Sequence, residues 1–124
     1  MMPSDLRKFC LGMPGAGEEF PFDANNSVFK ISGKIFAISP LGAEPLQVSL
    51  KCDPDLAVEL RLRYPAITGG YHLNKKHWNT VVVDGSVPDE LLRQMIEDSY
   101  DLVVAGLPRR EREKLGWQAV VDRG

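Results

Sequence analysis

Val28-Phe29-Lys30-Ile31-Ser32-Gly33-Lys34-Ile35-Phe36-Ala37-Ile38 reads as two strands joined by a tight turn. Residues 28–31 alternate, with Phe29 and Ile31 on one face and Lys30 on the other, so Lys30 is expected to face solvent. Ser32-Gly33-Lys34 has the composition of a short hairpin turn, and Ile35 to Ile38 is the return strand. Downstream, residues 39–45 contain two prolines and a glycine and read as a loop. Leu46, Val48 and Leu50 then alternate with Gln47, Ser49 and Lys51, the pattern of a half-buried strand. Upstream, Glu18 to Phe22 fits a first strand, closed by Pro21 and Asp23, with Asn25-Asn26 as a turn. The result is an antiparallel meander with one wet face.

Helices flank it. Ser4 is placed to cap a short helix over residues 4–13, in which Leu6, Phe9, Cys10 and Met13 recur at helical spacing. Asp53-Pro54 is a strong helix start, with Asp as cap and Pro at the first helical position. Leu56, Ala57 and Leu60 supply its buried stripe, and Tyr64-Pro65 ends it. Residues 66–73 are interrupted by glycine and read as an irregular strand. Trp78 to Val83 is a strand, turned by Asp84-Gly85. Pro88 opens the longest helix, to about Leu107, with Leu91, Leu92, Met95, Ile96, Leu102 and Val103 at a 3.6-residue period. Pro108 interrupts, and Arg109 to Trp117 fits one further short helix. The fold class is α/β (α+β): an antiparallel sheet packed by helices on one face.

A chain of 124 residues makes one domain, spanning 1–124, and is long enough for a core without staples. The net charge of −2 gives no global argument for a nucleic-acid binder. The distribution is more informative. Residues 28–80 carry 7 Lys and Arg against 4 Asp and Glu, a local +3, while both ends are acidic. An anion-binding face is therefore expected in the middle of the chain. Cys10 and Cys52 form no CxxC motif or disulfide framework and read as buried free thiols in a reducing compartment. No stretch is long and apolar enough for a membrane span, so the expectation is a cytoplasmic protein.

Most of the candidate chemistry sits in His72-Leu73-Asn74-Lys75-Lys76-His77-Trp78-Asn79-Thr80. Lysine offers phosphate a point charge and Asn an amide donor; His72 and His77 can add positive charge on acidification. Lys30, Lys34 and Lys51 lie on or beside the meander and can frame one basic face with this loop. Trp78 opens an apolar strand and reads first as a core residue against the long helix, second as a platform for a base. Glu18, Glu19, Glu97 and Asp98 read as solvated surface rather than an acid/base pair. There is no Walker-type phosphate loop and no GxSxG elbow. A Cys52 nucleophile with His72 or His77 lacks a local signature. A zinc site from the same three residues lacks a fourth ligand and paired spacing. No catalytic residue, metal or cofactor is expected.

Three stretches together resemble the MmcQ/YjbR-like family. They are Phe20-Pro21-Phe22-Asp23 with Val28 to Ala37, Val48-Ser49-Leu50-Lys51-Cys52-Asp53-Pro54, and Gly70-Tyr71 with His72 to Thr80. Asp98-Ser99-Tyr100-Asp101-Leu102-Val103 and Leu107-Pro108 complete the order. The likeness covers about residues 5–110, and its most specific piece is Asn74-Lys75-Lys76-His77-Trp78. It implies a CyaY-like (frataxin-like) fold and a DNA-binding role through projecting hairpin-like wings. Lys30, Lys34, Lys51, Lys75, Lys76 and His77 would then make the phosphate contacts, with His72 and Asn74 beside them. A frataxin-like role with iron is disfavoured, because Ser4-Asp5-Leu6-Arg7-Lys8-Phe9 lacks an acidic ridge. The resulting expectation is a non-enzymatic, weak, sequence-independent DNA-binding monomer. The alternative is a module for a protein or small-molecule partner on the same face.

Overall fold

The computed structural model describes residues 1–70 and 73–116. Four strands follow a first helix: α1 (Pro3–Leu11), β1 (Gly17–Glu19), β2 (Ser27–Ile31), β3 (Lys34–Ser39) and β4 (Gln47–Lys51). Then come α2 (Pro54–Arg63), β5 (Ile67–Gly69), β6 (Trp78–Val82), α3 (Asp89–Ala105) and α4 (Arg109–Lys114). All strand pairs are antiparallel, in the order β1-β2-β3-β4-β6-β5. The meander thus runs from β1 to β4, after which β6 inserts next to β4 and leaves β5 as the far edge. The β2–β3 turn has Ser32 at φ 48° and Gly33 at φ 79°, the left-handed pair that a two-residue hairpin loop needs.

One face of the sheet carries the core. Phe29, Ala37, Leu50, Val48 and Val81 pack there with Leu6 and Cys10 of α1, Ala57 and Leu60 of α2, and Leu92, Ile96 and Val103 of α3. A bulge refines the inward pattern. Phe29 pairs with Ala37 but Lys30 pairs with Ile35, so Phe36 is the extra residue of β3. Phe36 and Ala37 are consecutive, yet both are buried in the core. Tyr100 meets the Phe36 ring edge-on at 5.5 Å and donates its hydroxyl to Pro14 O at 2.6 Å.

Several local expectations need correction. Ser4 lies inside α1 rather than capping it; the helix starts a residue earlier at Pro3, and the Asp5 carboxylate accepts the Met2 N–H. The first strand ends at Glu19, since Pro21 has no N–H to continue a ladder, and Phe20 and Phe22 are exposed. Leu56 is exposed and leaves the α2 stripe to Ala57 and Leu60. Glu18 is no solvated charge: it accepts from Arg7 Nε at 2.8 Å and from the Ser27 hydroxyl at 2.7 Å. Both cysteines are buried free thiols, as expected. Among the described residues, no helix is long and apolar enough to cross a membrane.

Candidate functional site

Strand direction gathers the basic residues. In an antiparallel sheet the start of β3 and the end of β4 share one end, so Lys34 and Lys51 are brought to the same side. Lys51 pairs directly with Trp78, the first residue of β6. Alternation then sorts β6: Asn79 and Val81 turn to the core, while Trp78 and Thr80 turn to the opposite face. Trp78 is accordingly half-buried, a correction to its reading as a core side chain.

Lys34, Lys51 and Trp78 line one cavity of about 430 Å³. The hairpin contributes Gly33 and Ile35, and α3 contributes Leu102, Val103 and Gly106. The cavity lies at the end of the sheet, where residues of both faces meet, so Trp78 and the last turn of α3 both line it. Leu102 fits the helical stripe, yet it is exposed and serves as part of this wall. The last turn of α3 holds no basic residue, and the carbonyl end of a helix carries partial negative charge. The two lysines supply the cavity's positive charge.

The loop before β6 is a compact turn built by Asn74. Its side-chain Oδ1 accepts the Lys76 N–H at 3.0 Å, and its carbonyl accepts from His77 N and Trp78 N at 3.0 and 2.9 Å. Asn74 thus shapes the loop through its oxygens. The Cys52 N–H donates to His77 O at 2.7 Å, which fastens the loop to the end of β4. The Arg61 guanidinium donates to Lys75 O. Lys75 folds its aliphatic stem over Gly69, where an added Cβ would meet Lys75 carbons at 3.1–3.2 Å. Lys75 and Lys76 are exposed and His77 is half-buried. His72 lies outside the described residues.

Lys30 does not join this group. It is half-buried, and its ammonium pairs with Glu19 Oε1 at 3.4 Å on the edge strand β1. The expectation of a solvent-facing Lys30 fails because β1 brings a carboxylate to that side of β2. Of the eight expected residues, the fold brings Lys34 and Lys51 to one cavity. Asn74, Lys75, Lys76 and His77 form the turn leading into its Trp78 wall. Ile35, Leu102, Val103 and Gly106 are site residues that sequence reasoning missed.

The thiols have little nucleophilic character at neutral pH. Burial pushes Cys10 up to about 12, with Glu18 adding to it. Burial likewise pushes Cys52 up to about 11, helped by the Asp53 and Asp98 carboxylates and opposed by Arg61. Among the described residues, no group of three His, Cys, Asp or Glu side chains could hold a metal. A second cavity of about 440 Å³ lies on the sheet face away from the helices, where Ser49 and Thr80 share a hydrogen bond of 2.8 Å. Phe22, Ile38, Pro40 and Leu73 wall it, and among the described residues no charged side chain lines it.

A family model described as YjbR matches residues 11–102. The Escherichia coli protein YbdF is 39% identical over 110 residues, covering 88% of this chain and 89% of its own. The Escherichia coli protein YjbR is 35% identical, with 93% of this chain and 98% of its own covered. A crystal structure of a Deinococcus radiodurans protein of the DUF419 domain family superposes with a TM-score of 0.88 at 43% identity, over 94% of this chain and 89% of that one. A Pseudomonas syringae protein shares the fold at a TM-score of 0.71 and 24% identity, over 82% and 98% of the two chains. None of these names carries an activity or a ligand.

Proposed function

The chain belongs to the YjbR family, and from that premise we propose that it is a non-enzymatic domain that binds nucleic acid, DNA above all, weakly and through its phosphates. The observation that carries this reading is the convergence of Lys34 and Lys51 on one cavity, next to a turn that presents Lys75 and Lys76. Phosphate contacts supply the sequence-independent part of nucleic-acid affinity, and lysines on rigid strand ends hold a register along a backbone. The thiols are held protonated at neutral pH, which speaks for binding rather than nucleophilic chemistry.

The test is the salt dependence of duplex DNA affinity. Log affinity should fall linearly with log salt, and each lost phosphate contact should reduce the slope by about 0.9. Lys34→Ala with Lys51→Ala, and separately Lys75→Ala with Lys76→Ala, should each flatten the slope. Lys30→Ala should not, because that lysine is engaged by Glu19. An unchanged slope in a double variant removes its lysines from the site. Salt-insensitive binding would point instead to a protein or neutral small-molecule partner on the same face. No binding of DNA at low salt refutes the reading.

A further inference from the structure

The cavity at the basic end is chemically two-sided. Its wall is apolar and aromatic, from Trp78, Ile35, Leu102 and Val103, while its cations among the described residues are Lys34 and Lys51. Lys34 is exposed, so its ammonium serves the mouth rather than the interior. The interior adjoins the C-terminal turn of α3, whose partial negative charge disfavours a phosphate there. A phosphate therefore belongs at the mouth, and a flat, uncharged group attached to it suits the apolar and aromatic wall. The volume of about 430 Å³ lies within the roughly 300–1,000 Å³ of small-ligand sites. Among the described residues, the second cavity is lined by no lysine or arginine.

We propose that this cavity receives one unpaired nucleobase of a single strand, stacked on Trp78, with the adjoining phosphates on Lys34 and Lys51. The proposal rests on the nucleic-acid reading above and narrows it. Bases in a duplex are stacked and paired inside the helix and reach a protein cavity only when extruded. An unpaired strand offers its bases directly, and an indole accepts any of them because every base has a π-face. The domain should accordingly prefer single strands to duplex, with little preference among bases.

The full chain carrying Trp117→Phe retains Trp78 as its only tryptophan, since the sequence has two. Its fluorescence is followed during titration with three probes at one salt concentration: a mixed-sequence single strand of about eight nucleotides, within the range that single-strand grooves cover, an all-abasic strand of the same length, and a duplex. The expected result is quenching by the base-bearing strand, and affinity for it about fivefold or more above that for the abasic strand, the lower end of what one stacked base contributes. Trp78→Leu should bring affinity for the base-bearing strand down to that variant's own affinity for the abasic strand; Trp78→Phe should keep part of the preference. Equal affinity for base-bearing and abasic strands, or a preference surviving in Trp78→Leu, overturns the stacking proposal while leaving phosphate binding intact. Failure of all three probes to bind at low salt overturns both. The abasic comparison needs no substitution at Trp78, so it decides the matter even if Trp78→Leu does not fold.

Discussion

Ser99 links three elements through one oxygen. From α3 its hydroxyl donates to Phe36 O of β3 at 2.6 Å and accepts the Lys51 N–H of β4 at 2.9 Å. It is fully buried, so neither backbone group can turn to water instead. Ser99→Ala should lower stability by about 1–3 kcal/mol, the range for stranding buried polar groups. Denaturant unfolding checks this, and a loss under about 0.5 kcal/mol, the size of an ordinary surface change, would show that water replaces the hydroxyl. The same bond fixes the backbone of Lys51, so the variant should also weaken any DNA contact made by that lysine. Single positions were only partly legible in the sequence. Alternation placed Trp78 and Lys51 on strands, but it says which face a side chain takes, not what covers that face. Glu19 reaches Lys30 from a neighbouring strand eleven residues earlier, and no local pattern encodes that meeting.

Helix α2 shows how far pattern reading extends at the level of an element. Asp53 accepts from Asp55 N and Leu56 N at 3.1 and 3.3 Å and Pro54 opens the first turn, as the dipeptide foretells. Its apolar residues then divide: Ala57 and Leu60 are buried, while Leu62 is 83% exposed. Leu60→Ala should cost about 2–5 kcal/mol by opening a core cavity, whereas Leu62→Gln should stay within about 0.5 kcal/mol. Similar melting shifts in the two variants would mean that the outer face of α2 is covered in solution. The hairpin turn, the strand alternation and the long α3 were likewise legible, because turn chemistry and periodicity are local signals. The Phe36 bulge was not, since it is a property of the register between two strands.

At the scale of the molecule, the buried thiols set an alkaline limit. Cys10 is raised from 9.0 to about 12 and Cys52 from 9.0 to about 11. The unfolded chain therefore releases these protons first as pH rises. The stability that goes with protonated, buried thiols is fully present below about pH 9 and is lost progressively towards about pH 12. Unfolding free energy measured across that window should fall, and Cys10→Ala should flatten the decline; an identical decline in the variant would assign it to other groups. The strand order was not legible either, because nothing local says that β6 pairs with β4 before β5 does. That order has a consequence for the chain as it is made. β4 has β3 on one side and β6 on the other, and β6 follows only after α2 and β5. Until it emerges, Gln47 to Lys51 is an open edge with alternating apolar residues, a template for pairing with another copy. A fragment of residues 1–66 should then self-associate, with light scattering rising with concentration where the full chain's does not. A monomeric fragment would mean that α2 alone shields the edge of a nascent chain.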